Sequence, residues 1–193
     1  MRRFSKTGKK GFTLVEIMIA MAIMVVMMSI IWATFAIVNQ SHANVVVVND
    51  AKDFAEFNME AIENMLANAD KVMTDNDPIL DGTDAGLGFT KSAFFDSGNG
   101  KLMYFEGAVP NTALDIEQFK VTNSSGVDVN KWYIVPTFTL NGFTLNAQLE
   151  VYDSADNTLY YTLSRAIYLS NVTTSTPSSP GPVIKFHTKA FPS

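Results

Sequence analysis

One uncharged stretch limits the architecture of this chain more than any other feature of its sequence. Residues 17–38 are 22 consecutive residues without a charge, a proline or a glycine. As an α-helix rising about 1.5 Å per residue, this stretch extends roughly 33 Å, enough to cross a hydrocarbon layer about 30 Å thick. A buried core helix is the alternative, but core helices are seldom apolar on every side for so long. We therefore expect residues 12–38 to form a membrane-spanning helix.

The charges on the two sides of this span have opposite signs. The first 11 residues carry five basic residues and no acidic one, whereas the remaining 182 carry nine basic and all 19 acidic residues. Because basic flanks stay on the cytoplasmic side, the N-terminus is predicted to be cytoplasmic and residues 39–193 to lie outside. A cleaved secretory signal is disfavoured because its apolar core is normally shorter.

Composition excludes several classes of function. The absence of cysteine excludes a disulfide scaffold and a thiol nucleophile. The net charge of −5 argues against a nucleic-acid binder that needs a basic face. His42 and His187 lie too far apart for a local metal motif, and no Ser, His or Asp stands in the sequence context of a nucleophile. We expect no enzymatic activity, no cofactor and no nucleic-acid partner.

The helical pattern continues beyond the span. Between Val45 and Met73, apolar residues recur at spacings of three, four or seven, and neither proline nor glycine occurs between Phe12 and Met73. Residues 39–73 are therefore predicted to be an amphipathic continuation, forming with the span one long helix or two nearly collinear pieces. The polar residues 39–44 are the expected weak point.

Residues 74–193 are predicted to form a β-rich outer domain. Asn141 and Gly142, between two alternating runs, predict a hairpin, and Pro136 predicts an edge strand or a bulge. Residues 75–88 and the Ser/Thr/Pro-rich residues 173–182 are predicted loops. The predicted strands are 101–106, 116–121, 132–140, 143–152, 158–169 and the short run 183–187.

The junction between leader and span carries the most specific motif. Residues 9–16 read Lys-Lys-Gly-Phe-Thr-Leu-Val-Glu. A basic leader that ends in glycine, followed by Phe-Thr-Leu-x-Glu and an apolar helix, resembles the type IV pilin family, including the pseudopilins of type II secretion and competence systems. The resemblance implies an α+β, type IV pilin-like fold, with a long N-terminal helix packed on an antiparallel β-sheet.

The same resemblance implies a processing site. Prepilin peptidase would remove residues 1–11 by cleaving between Gly11 and Phe12, and would methylate the new amine of Phe12. Gly11 has no side chain, which suits an extended segment held closely in a protease cleft.

Glu16 has two interpretations. An ionisable group at membrane depth is costly unless it is paired, and the resemblance implies pairing with the Phe12 ammonium of a neighbouring subunit, which would set the axial register. Alternatively, Thr13 and Glu16 fit a capping box, with Thr13 as the N-cap. We favour the assembly role, with which capping is compatible.

Other clusters are less specific. The methionines at 18, 21, 24, 27 and 28 favour adaptable packing over metal binding. Asp75, Asp77, Asp81 and Asp84 do not match a calcium-binding loop, so a solvated acidic loop is preferred. Residues 163–171 are similar to the closing strand of longer minor pseudopilins.

The sequence therefore predicts a minor pilin or pseudopilin, a structural subunit of a type IV pilus, type II secretion or competence-type filament. Its implied partners are prepilin peptidase, other pilin or pseudopilin subunits, membrane lipid and an inner-membrane assembly platform with its ATPase. It would be a single-pass membrane protein before assembly and an extracytoplasmic filament component afterwards. A major pilin and an uncleaved, membrane-tethered binding domain are the alternatives.

Overall fold

A computed structural model of the chain describes residues 12–80, 82–96, 101–106, 110–114, 120–122, 128–175 and 179–188. The leader with Gly11 lies outside the described residues, as do Asp81 and most of the predicted strand 116–121. The chain divides into two compact units, Met1–Val45 and Val46–Ser193.

Two helices and eleven strands are present in the described residues. The helices are α1 (Leu14–Leu66) and α2 (Gly82–Leu87). The strands are β1 (Ala69–Asp75), β2 (Lys91–Phe95), β3 (Leu102–Glu106), β4 (Pro110–Leu114), β5 (Lys120–Thr122), β6 (Asp128–Asn130), β7 (Trp132–Asn141), β8 (Thr144–Asp153), β9 (Leu159–Tyr168), β10 (Thr174–Ser175) and β11 (Val183–Thr188).

The strands form three sheets. A six-stranded sheet has the order β10-β1-β11-β2-β3-β4, β5 pairs with β6, and a three-stranded sheet has the order β7-β8-β9. All pairs are antiparallel except β1 with β10. The predicted α+β class, with a long N-terminal helix and antiparallel sheets, is confirmed.

Helix α1 is one continuous element of 53 residues, and the polar residues 39–44 do not interrupt it. From Ala51 onward, one face of α1 packs into the core of the second unit. Trp132, Phe138 and Leu149 of the three-stranded sheet, and Ile184 and Phe186 of β11, belong to the same core. The helix residues that are buried are Ala51, Phe54, Ala55, Asn58, Met59, Ile62 and Leu66.

The predicted end of the helix at Met73 is wrong, because α1 ends at Leu66 and β1 begins at Ala69. The Asn171 side chain donates a hydrogen bond to the Ala67 carbonyl at 2.7 Å, which satisfies a helix-end carbonyl. Strand β1 then lies between β10 and β11, where Val72 is completely buried. Pairing with strands that are distant in sequence therefore overrides the helical spacing.

The predicted loop 75–88 is also partly wrong, because it contains α2. This short helix ends in a Schellman motif: Gly88 has a φ of +88° and its N–H donates to the Ala85 carbonyl at 3.0 Å. The Phe89 N–H donates to the Asp84 carbonyl at 2.9 Å. Residues 173–182 are likewise not entirely loop, since they include β10 and a bridge at Gly181.

The predicted hairpin connects β7 and β8, but its turn residues are Gly142 and Phe143, because Asn141 pairs with Thr144. Gly142 has a φ of +59° at the first central position. This is the position at which a type II′ turn requires glycine, so the Asn-Gly signal identified the hairpin with the turn displaced by one residue.

Pro136 lies on an edge strand, as predicted, since β7 is the outer strand of its sheet. The Phe138 N–H points away from β8 and donates to the Gly181 carbonyl at 2.8 Å. Residues two apart in a strand point the same way, so the nitrogen of Pro136 also faces away from β8. The missing N–H of this proline therefore removes no hydrogen bond from the β7–β8 ladder.

Gly181 should tolerate no side chain. A Cβ there would lie 2.2 Å from the Asp75 carbonyl oxygen, which belongs to the backbone of β1. We expect Gly181→Ala to lower the free energy of unfolding by roughly 1–3 kcal/mol, measured by chemical denaturation of the detergent-solubilised chain. Gly86→Ala is the control, because a Cβ at Gly86 meets nothing within 4 Å. Equal losses in the two variants would contradict the steric explanation.

Candidate assembly site

The motif residues lie at the first turn of α1 and form a reciprocal hydrogen-bonded cap. The Thr13 N–H and the Thr13 hydroxyl both donate to Oε2 of Glu16, at 2.8 and 3.0 Å. In return, the Glu16 N–H lies 3.3 Å from Thr13 Oγ1, which accepts it. This is the arrangement of a capping box, in which Thr13 satisfies an N–H that the helix itself leaves unpaired.

The cap uses one oxygen of the Glu16 carboxylate. Within the described residues, Oε1 of Glu16 accepts no hydrogen bond, and the side chain is exposed. Thr13 contributes neutral donors only, and within the described residues no cation pairs with the carboxylate. Phe12, which precedes the helix, is 85% exposed. The side chains of Glu16 and Phe12 are therefore both accessible to a neighbouring molecule.

The helix surface that follows Glu16 is apolar and exposed all round. From Phe12 to Val38, the large apolar side chains are between 50% and 85% exposed. The hydroxyls of Ser29 and Thr34 donate to the carbonyls of Val26 and Ile30, at 2.7 and 2.9 Å, so their polar atoms are satisfied within the helix. Within the described part of the chain, α1 is the one helix long and apolar enough to cross a membrane.

Comparison with known families matches this segment. Residues 6–32 match the family model for the prokaryotic N-terminal methylation motif. The N-terminal segment thus carries a prokaryotic N-terminal methylation motif. The resemblance inferred from residues 9–16 is thereby confirmed for the segment that carries it.

The PilB minor pilin from Streptococcus sanguinis is similar in structure with a TM-score of 0.39 and 14% sequence identity, over 69% of this chain and 33% of that one. The match thus spans about a third of the length of that protein. Comparison with curated proteins gave no match.

The interpretation of the acidic cluster as a solvated loop is wrong for two of its members, Asp75 and Asp84. Asp75 and Asp84 converge on Lys185 of β11, whose Nζ donates to their Oδ2 atoms at 2.6 and 2.7 Å. The side chains of Lys185 and Asp84 are only 3% and 7% exposed. Within the described residues there is no group of three or more His, Asp or Glu side chains that could hold a metal ion. The two carboxylates therefore have a structural partner.

The pKa values in this cluster follow from its geometry. Burial alone would raise the pKa of Asp75, but the hydrogen bond from Lys185 and the bonds from nearby backbone N–H groups lower it overall. Burial would likewise lower the pKa of Lys185, but its hydrogen bonds to Asp75 and Asp84 raise it overall. Asp75 and Lys185 are thus held in their charged forms at neutral pH.

Sequence reasoning also missed a hydrogen-bonded pair of side chains at the other end of β1. His187 Nδ1 lies 2.6 Å from Asp70 Oδ1. The hydrogen bond with His187 lowers the pKa of Asp70. The two residues are far apart in the sequence, so only the pairing of β1 with β11 brings them together.

Lys185→Met should remove the buried cation that Asp75 and Asp84 share. We expect a loss of roughly 3–5 kcal/mol at pH 7, as is typical when one partner of a buried ion pair is removed. Because the pKa of Asp75 is lowered by folding, the stability it contributes is complete above its ordinary pKa of 3.8 and is lost as the pH falls through the folded value. The difference between wild type and variant should therefore shrink below about pH 4.

Denaturation of the detergent-solubilised chain at several pH values measures this difference. Lys52→Met is the matched control, since Lys52 is exposed on α1. Its effect should stay within about 0.5 kcal/mol. A loss in Lys185→Met that did not change with pH would argue against a role for the carboxylates.

Proposed function

We propose that the chain is a structural subunit, a minor pilin or pseudopilin, of a type IV pilus, type II secretion or competence-type filament. The observation that carries the proposal is the matched N-terminal motif, in which Glu16 keeps a hydrogen-bonding oxygen available at the start of an exposed apolar helix. An enzyme is not proposed, because the features found serve anchoring and assembly.

Processing is the first step of the proposed mechanism. Prepilin peptidase cleaves between Gly11 and Phe12 and methylates the Phe12 amine. Cleavage removes five positive charges that hold the N-terminus at the cytoplasmic face. It also creates a single ammonium at Phe12, which stays basic after methylation.

Assembly is the second step. Oε1 of Glu16 accepts a hydrogen bond from the Phe12 ammonium of a neighbouring subunit, while Oε2 remains in the cap with Thr13. The pair fixes the axial register of the two helices, a role for which buried charges are well suited. The span then moves from lipid into a bundle of helices, a transfer between two similarly apolar surroundings. An inner-membrane platform with an ATPase supplies the remaining work.

The role within the filament is proposed from the span itself. Residues 14–66 are continuously helical and have neither glycine nor proline, devices that major pilins often carry in this segment. The methionines of the span suit contacts with differing neighbours. A minor subunit is therefore favoured over a major pilin, and relative abundance in sheared filaments distinguishes the two.

Glu16→Gln separates the two roles of this residue. Glutamine can replace glutamate in a capping box, so the cap persists while the charge is lost. We expect membrane insertion to remain normal and incorporation into filaments to fall at least about tenfold, since a desolvated charge pair contributes more than the 1.4 kcal/mol that this ratio represents. Immunoblots of membrane and sheared-filament fractions measure both quantities.

Thr13→Ala is the matched control, because it removes the hydroxyl that caps the Glu16 N–H and leaves the charge. It should lower helix stability by about 1 kcal/mol and change incorporation little. The reverse pattern, with Glu16→Gln normal and Thr13→Ala defective, would assign Glu16 to capping alone.

Gly11→Val tests the cleavage site. A branched side chain at Gly11 should block the close approach of the protease, so the full-length form should accumulate in the membrane. Intact mass of the membrane-extracted protein distinguishes the full-length chain from one that begins with methylated Phe12. Gly8→Val, in the same leader, should be processed normally. Processing of Gly11→Val like wild type would remove the basis for the cleavage assignment.

A further inference from the structure

Strand β9 presents an open edge in the second unit. It pairs with β8 on one side and is the outer strand of its sheet. Among the residues that the structure describes, no backbone group pairs with the other side of β9. The strand has ten residues, so this edge is long.

The register identifies which backbone groups face outward. The Leu169 N–H donates to the Phe143 carbonyl at 2.8 Å, which continues the ladder between β8 and β9. Because residues two apart point the same way, the odd-numbered residues of β9 face β8. The N–H and C=O groups of Thr162, Ser164 and Ala166 therefore point to the open edge.

This edge contains neither proline nor lysine, two of the devices that usually prevent pairing with another chain. Arg165 is the one charged residue of β9, and its guanidinium is already paired with two carboxylates of α1. Its Nη1 donates to Glu63 at 3.1 Å, and its Nη2 pairs with Glu56. By contrast, the edge of β7 contains Pro136 and is bridged by Gly181.

An acidic groove of about 400 Å³ lies where Arg165 meets α1. Asp53 and Glu60 are exposed there and have no ion-pair partner within the described residues. Four carboxylates face one guanidinium, so the groove is negatively charged. The residues that line it are Asp53, Glu56, Phe57, Glu60, Glu63 and Arg165.

We propose that the open edge of β9 binds an extended, basic segment of a partner protein by strand addition. The backbone of that segment would pair with Thr162, Ser164 and Ala166. Alternate side chains of an added strand lie on the same face as Arg165, so its lysines or arginines would enter the acidic groove.

Charge excludes a second copy of this chain as the preferred occupant. The chain has a net charge of −5, and pairing of two β9 edges would bring two acidic grooves together. Like charges across an interface disfavour association, whereas a basic segment complements the groove. The proposal therefore concerns a partner of opposite charge, and it does not depend on the filament role.

Amide hydrogen exchange measured by NMR on the detergent-solubilised full chain tests the pairing. The probe is a synthetic peptide of alternating lysine and threonine. At saturation, the amides of Thr162, Ser164 and Ala166 should exchange at least about tenfold more slowly, while those of β4 keep their rates. A glutamate–threonine peptide should not bind, and the lysine peptide with alternate N-methyl amides should lose binding because it cannot complete the ladder.

Two variants make the test specific. Ser164→Pro removes an outward N–H without removing a bond to β8, as Pro136 does on β7, and should abolish peptide binding. Asp53→Asn combined with Glu60→Gln should weaken binding by about three- to tenfold.

The proposal is overturned by equal binding of the acidic or N-methylated peptide, or by unchanged exchange at the three amides. Protection of these amides without peptide, together with self-association in sedimentation, would assign the edge to a second copy instead.

Discussion

The apolar surface between Phe12 and Val38 is the constraint on which the behaviour of the whole chain depends. No described residue of the first unit covers it, and its large side chains are at least half exposed. At about 25 cal/mol per Å² of apolar area, leaving this surface in water is strongly unfavourable. Lipid or other helices must therefore surround it. The same all-round apolarity allows both environments, because helices gain packing rather than hydrophobic burial when they leave lipid.

Glu16 is the one charge at the start of that surface, and the cap with Thr13 does not remove it. The N-terminal helix dipole is equivalent to roughly half a positive charge, so it offsets only part of the negative charge. The cap therefore orients the carboxylate and lowers the cost of its position, but a full cation is still needed to compensate it in an apolar medium. The proposed assembly role is thus compatible with the cap, since both hydrogen bonds that the cap makes to the carboxylate use Oε2.

Features that depend on residues close together in the chain could be predicted from the sequence, whereas features that depend on residues far apart could not. The start of α1, the β7–β8 hairpin and the edge position of Pro136 were predicted because each signal lies within a few residues. Strands β1 and β2 were missed, since both are defined by pairing with β11, which lies about a hundred residues away in the chain. Apolar residues do recur at helical spacing up to Met73, but the burial of Val72 between β10 and β11 favours a strand there.

Ion pairs between residues far apart in the chain were likewise not predictable from the sequence. These pairs determine which acidic groups remain at the surface. In the sequence, Asp84 and Glu56 look like ordinary surface acids, yet Lys185 and Arg165 reach them across the fold. These pairs occupy the acids nearest the core and leave the outer carboxylates, Asp53 and Glu60, to define the surface charge. The acidic surface beside β9 therefore arises from tertiary pairing as well as composition. Since Arg165 is held by Glu56 and Glu63, the one charge of β9 is neutralised against α1, and the outward backbone groups of Thr162, Ser164 and Ala166 carry no charge beside them.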